Sequence, residues 1–155
     1  MATFETSQGR SVPHCHVRPS PKAPCDKREF TLAERQERRE LLAADFPNVV
    51  EVRAPSRKYN CHGYAYTGAH GWFEELEFFI ADDFSEFPIE EARRGDVLIY
   101  EKNAKIAHSA LVKIVTDGEI KKLQSKWGKW SALIHDPTDV PAEYGRPVRL
   151  LRRNP

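Results

Sequence analysis

Residues 95–126 read GDVLIYEKNAKIAHSALVKIVTDGEIKKLQSK and spell out three consecutive strands joined by two polar turns. Asp96 to Tyr100 is a nearly unbroken apolar run, the pattern of a strand buried on both faces. Glu101 to Lys105 is polar and reads as a turn. Ala107 to Val115 alternates as the next strand, because side chains on a strand point to opposite faces in turn. Asp117-Gly118 is the kind of dipeptide a two-residue hairpin requires, since both central residues take positive φ. Glu119 to Lys126 is the returning strand. Pro137, Pro141 and Gly145 then mark a loop, and Val148 to Leu151 is read as a closing strand.

Upstream of this meander the signals are helical. Thr31 and Glu34 have the spacing of a capping box, and Leu32, Leu41 and Leu42 form an interrupted apolar stripe. Ala33 to Glu40 makes the solvated face, and Pro47 ends the helix. Asn48 to Arg53 follows as a short strand rich in Val49, Val50 and Val52. Asn60 to Thr67 predicts a second helix beginning at Cys61 and ended by Gly68 and Gly71. The aromatic stretch through Trp72, Phe73, Phe78, Phe79, Phe84 and Phe87 reads as helix or loop. Its rings are core material, or one or two of them wall a substrate cleft. Helices first and an antiparallel meander afterwards define an α+β domain over residues 29–155. Residues 1–28, with Pro13, Pro19, Pro21 and Pro24, read as a flexible leader.

Charge excludes one class of partner. Twenty-four Lys and Arg against 23 Asp and Glu leave a net charge of +1, so no global field draws the chain to nucleic acid. Lys126, Trp127, Lys129 and Trp130 interleave basic and aromatic residues, a local pattern that suits single-stranded nucleic acid or packing anchors, and the near-neutral whole favours anchors. The acids Asp82, Asp83, Glu86, Glu90 and Glu91 have no calcium-loop spacing and read as a solvated face. No apolar run reaches membrane-spanning length, and Met1 to Arg10 lacks the apolar core of a secretory signal. The expectation is synthesis in the cytoplasm, with any action outside the cell needing another delivery route.

Three cysteines cannot pair completely. Cys15 and Cys25 can join, which leaves Cys61 free. Together with His14 and His16 they also suggest a small zinc site, but their spacing fits no standard finger. No metal or cofactor is expected in the main domain. A cysteine at a helix start is the chemically telling feature. Free backbone N–H groups and the positive end of the helix dipole favour the thiolate, and can lower a thiol from ~8.5 to roughly 3.5–7.5. Those same N–H groups can hold an oxyanion. Asn60 is placed to cap the helix or to add a donor, and Gly63 allows close approach of a substrate or another backbone. His108, just after a polar turn, is the expected base. His62 adjoins Cys61 but projects about 100° away on a helix, which makes it a rim residue or one packed behind the site. His70 reads as an exposed loop histidine.

Three blocks carry a resemblance: Asn60-Cys61-His62-Gly63-Tyr64-Ala65, Gly95-Asp96-Val97-Leu98-Ile99-Tyr100, and Ala107-His108-Ser109-Ala110-Leu111-Val112. Together they resemble the signature of papain-fold cysteine hydrolases of the NlpC-like and CHAP-like groups, over roughly residues 60–145. The resemblance implies a helix bearing Cys61 packed on an antiparallel sheet bearing His108. It also implies cleavage of amide bonds in peptides or peptidoglycan, without a cofactor. The third residue that orients the histidine in such enzymes has no usual counterpart here. Gln124 and Ser125 are ranked first for it and His135 after them. Ser125-Lys126-Trp127-Gly128 followed by His135 looks like a sub-branch pattern. A delivered toxin or effector domain, with a delivery or inhibitor protein as partner, or a cytoplasmic peptidase, is the expected setting. Two rivals stay open: an acyl- or amidotransferase using the same pair, and a non-catalytic binding module.

Overall fold

The computed structural model describes residues 2–14 and 29–155. In chain order the elements are β1 (Ala2–Glu5), β2 (Ser11–His14), α1 (Leu32–Asp45), β3 (Val50–Arg53), α2 (Cys61–Thr67), α3 (Glu77–Asp83), β4 (Phe84–Phe87), β5 (Val97–Lys102), β6 (Lys105–Thr116), β7 (Glu119–Lys126), β8 (Ala132–His135) and β9 (Arg146–Arg153). β3 to β9 form one antiparallel sheet in the order β3-β8-β7-β6-β5-β9-β4. The class is α+β, as expected. Both central turns are tight. Asn103 and Ala104 join β5 to β6, and Asp117 and Gly118 join β6 to β7, all four at positive φ.

The sheet is covered on both faces. On one, α2, α3 and the β1–β2 hairpin pack Ala65, Tyr66, Phe79 and Val12 with Phe73 against Ile99 and Leu151. On the other, Leu98, Tyr100, Ala110, Val112, Leu123 and Leu150 pack under Ile89, Val140 and Tyr144. Leu42 of α1 joins Trp127 and Leu133 at the end of this second layer. Asp96, just before β5, accepts the Arg93 N–H at 2.8 Å and both Nε and Nη2 of Arg152 at 2.8–2.9 Å, so the Gly-Asp block is a buried tie to β9.

Several expectations are corrected. The first half of the segment read as leader is ordered. β1 and β2 pair from Ala2↔His14 to Glu5↔Ser11, and Val12 is buried in the core. Thr6 and Arg10 both bond Asp82, which ties the hairpin to α3. The rest of the leader, with Cys15, His16 and Cys25, lies outside the described residues, and His14 stacks on Phe73. The Thr31 capping box forms, but Leu32 is 81% exposed and only Leu42 of the stripe is buried. β3 is an edge strand exposed along its length, and Trp130 and Trp127 serve as packing anchors. The undecided aromatic stretch resolves into α3 and β4. Among the described residues no helix is long and apolar enough to cross a membrane.

Candidate functional site around Cys61

Cys61 is the first residue of α2, as its sequence context predicts. Asn60 caps the helix with Oδ1 accepting the Gly63 N–H at 2.9 Å, and Gly68 closes it in the left-handed conformation. Phe73 also engages the Asn60 amide, its N–H donating to Oδ1 at 3.2 Å and its carbonyl accepting from Nδ2 at 2.6 Å. Asn60 therefore fixes the loop after α2, with one of its two Nδ2 hydrogens committed to Phe73. Gly63 makes a close approach to backbone: a Cβ there would stand 1.9 Å from the Gly71 carbonyl oxygen.

The sulfur lies where β6 parts from β7. Pairing between these strands begins at Leu111↔Gln124, so residues 105–110 have no ladder partner on that side. Ser109 shares the orientation of Leu111, and its backbone N–H faces the Cys61 sulfur instead. The N–H groups of His62 and Cys61 and the charge of Lys126 also favour a thiolate. Burial outweighs them. Cys61 is 7% exposed, and desolvation pushes its thiol up to about 11, the reverse of the lowering that a helix start predicts.

His108 is fully buried on β6. Its neighbour Ser109 sends Oγ to His62 Nδ1 at 2.9 Å, on the α2 side of the sheet. Alternation therefore places His108 on the opposite face. There its ring stacks on Tyr144 at 4.0 Å and meets the edge of Tyr100 at 5.5 Å. Neither ring nitrogen has a hydrogen-bond partner among the described residues, so the expected thiol–imidazole hydrogen bond is not formed. Burial, then the charges of His135 and His62, pull His108 well below the ordinary histidine value.

Gln124 and Ser125 separate across the same sheet. Gln124 bonds Tyr64 of α2. Ser125 lies on the His108 side, where its Oγ meets His135 Nε2 at 2.7 Å and accepts the Trp127 indole N–H at 3.1 Å. His135, ranked behind both, acts on His108 by its charge ahead of His62. Of the two places read for His62, the structure takes the one behind the site, against Ser109, and not the rim. His62 is 8% exposed, and burial lowers it to about 4. His70 is exposed.

Lys126, read from the sequence only as part of a basic–aromatic cluster and of the Ser125-Lys126-Trp127-Gly128 pattern, acts on the Cys61 thiol by its charge. Its Nζ donates to the carbonyls of Ser56 (2.7 Å), Tyr59 (3.2 Å) and Gly128, and lies 4.8 Å from the Tyr59 ring centre. Three carbonyls and a π face favour the ammonium, whereas burial pulls the group down to about 7. A lysine flanked by Ser125 and Trp127 in a strand was the available signal. Among the described residues no three His, Cys, Asp or Glu side chains gather to hold a metal.

Comparison with protein-family models, with curated proteins and with solved structures finds no match to this chain.

Proposed function

We propose that the chain is a papain-like cysteine hydrolase acting on an amide bond of a peptide or peptidoglycan-like substrate, held here in an uncharged resting form. One observation supports this above the others. A single strand, β6, presents the Ser109 N–H to the Cys61 sulfur and, one residue earlier, a buried imidazole whose nitrogens have no partner among the described residues. A buried polar group without a partner costs about 1–3 kcal/mol and calls for a functional reason. In turnover the Cys61 thiol gives its proton to His108 and the sulfur attacks the carbonyl carbon. Backbone N–H groups of Cys61 and His62 hold the oxyanion. His108 then protonates the leaving amine, and water cleaves the thioester. The thiol and imidazole must come together for this, so the reading includes a rearrangement at the β6–β7 gap.

A second reading, a non-catalytic binding module, is favoured by the protonated, buried thiol. An amide-substrate panel with wild type, Cys61→Ser and His108→Asn separates the two, with thermal melts to check folding. The hydrolase reading expects turnover, and formation of a Cys61 thioester, that both folded variants lose by at least about a hundredfold. A folded Cys61→Ser chain with undiminished turnover overturns it.

A further inference from the structure

We propose that the cleft beside His62 is a peptide-binding site that selects a segment with an apolar side chain between a cationic and an anionic group. The inference rests on the hydrolase reading for its connection to chemistry, but binding is measurable without turnover. The cleft has a volume of about 460 Å³, within the range that holds a small ligand. Leu76, Ile80 and Ile106 supply its apolar wall, and all three belong to or pack against the core beneath α2 and α3. Its charges are sorted by element. Glu74 and Glu77 come from the start of α3 and the segment before it, whereas Lys105 and Arg149 come from β6 and β9. Arg149 is already shared with Glu86 at 2.7 Å, so Lys105 is the stronger anion partner.

At the inner end stands His62. Its Nδ1 is committed to Ser109 Oγ, which leaves Nε2 as the ring nitrogen for a ligand. Ser109 in turn presents its N–H to the Cys61 sulfur. The cleft thus ends one residue from the thiol. A peptide lying with its cation toward α3 and its anion toward β6 would match both charged sides and bury its apolar side chain between them. Charge sorting of this kind sets specificity and register more than affinity.

The test uses the full chain with Cys61→Ala, so that no cleavage occurs, and histidine labelled at Cε1. The probe is N-acetyl-Lys-Leu-Glu-amide, and the control is N-acetyl-Gln-Leu-Gln-amide. The His62 resonance, assigned with His62→Gln, should shift saturably with the probe, and the control should bind roughly tenfold more weakly. The charge exchange Glu77→Lys with Lys105→Glu should remove or reverse that preference in a chain that melts normally. Equal binding of probe and control, no saturable shift with either, or a preference unaltered by the exchange overturns the proposal. Probe binding without any turnover by the wild-type chain would retain the cleft and reject the hydrolase reading. Turnover without charge selection would do the reverse.

Discussion

Alkylation of Cys61 is the sharpest test of the electrostatic balance in this fold, because burial and the helix start push the thiol in opposite directions. With the thiol at about 11, the ionised fraction at pH 7.5 is roughly 3 in 10,000. A free thiol near ~8.5 is ionised to roughly one part in ten there. The more basic thiolate is intrinsically about tenfold more nucleophilic, given a Brønsted slope of about 0.4–0.5. Ionisation and nucleophilicity together then leave Cys61 roughly 30-fold slower than the same cysteine in the unfolded chain. Its 7% exposure slows it further.

Iodoacetamide labelling, read by mass spectrometry on the peptide that carries Cys61, measures this directly. Labelling of the same peptide in denaturant supplies the reference. The folded rate should climb about one decade per pH unit from pH 7 to 10, with no plateau in that range. A plateau reached by pH 8, or a neutral-pH rate matching the unfolded chain, would show that the α2 N–H groups and Lys126 overcome burial. The resting form described above would then be wrong.

The other expectations concern stability. Gly63→Ala places a methyl group 1.9 Å from the Gly71 carbonyl oxygen, where real contacts essentially never fall below 3.0 Å. The loop must retreat by about 1 Å, and urea unfolding should show a loss of at least about 1–3 kcal/mol; an unchanged midpoint contradicts the close approach. The buried histidines predict an acid dependence. His62, at about 4 when folded and near 6.5 when unfolded, binds fewer protons in the native state between those values. Its neutral form therefore contributes stability above pH 6.5 that is lost as pH falls toward 4, by about 3 kcal/mol. Urea unfolding at pH 7, 5.5 and 4 should show a shallower acid loss for His62→Gln than for the wild type, and equal slopes would refute the assignment.

The sequence carried the local chemistry of this fold better than its sidedness. The turn at Asp117-Gly118 and the helix start at Asn60-Cys61 were legible because each depends on two adjacent residues with a specific backbone requirement. Sidedness depends on which face a distant helix covers. The alternation of His108, Ala110 and Val112 with Ser109 and Leu111 already separates His108 from Ser109. It does not say that α2 takes the Ser109 side. The same two-residue period means that Gln124 and Ser125, as neighbours on one strand, cannot both serve one histidine. The β1–β2 hairpin was missed because Pro13 and a four-residue strand resemble leader sequence, and what distinguishes them is contact with distant residues, Val12 with the core and Thr6 and Arg10 with Asp82. Leu32 and Leu41 misled in the other direction: their spacing fits a helix stripe, but α1 touches the body through Leu42.

Whether thiol and imidazole can meet depends on the gap between β6 and β7. Residues 105–110 of β6 are not laddered to β7, and Ser125 and Lys126 of β7 pair with β8 instead. The Ser109 N–H on that unladdered stretch faces the Cys61 sulfur, and His108, one residue earlier, points to the opposite face of the sheet. Bringing them together breaks no β6–β7 ladder hydrogen bond. Leaving the Tyr144 stack forfeits about 0.5–1.5 kcal/mol of ring contact. Giving a partner to a buried imidazole nitrogen recovers about 1–3 kcal/mol. The two terms are of similar size, and the second is the larger. On the hydrolase reading the cost of unstacking His108 is therefore within reach of substrate binding energy, and the rearrangement at the β6–β7 gap must also carry the ring from its own face of the sheet toward the thiol.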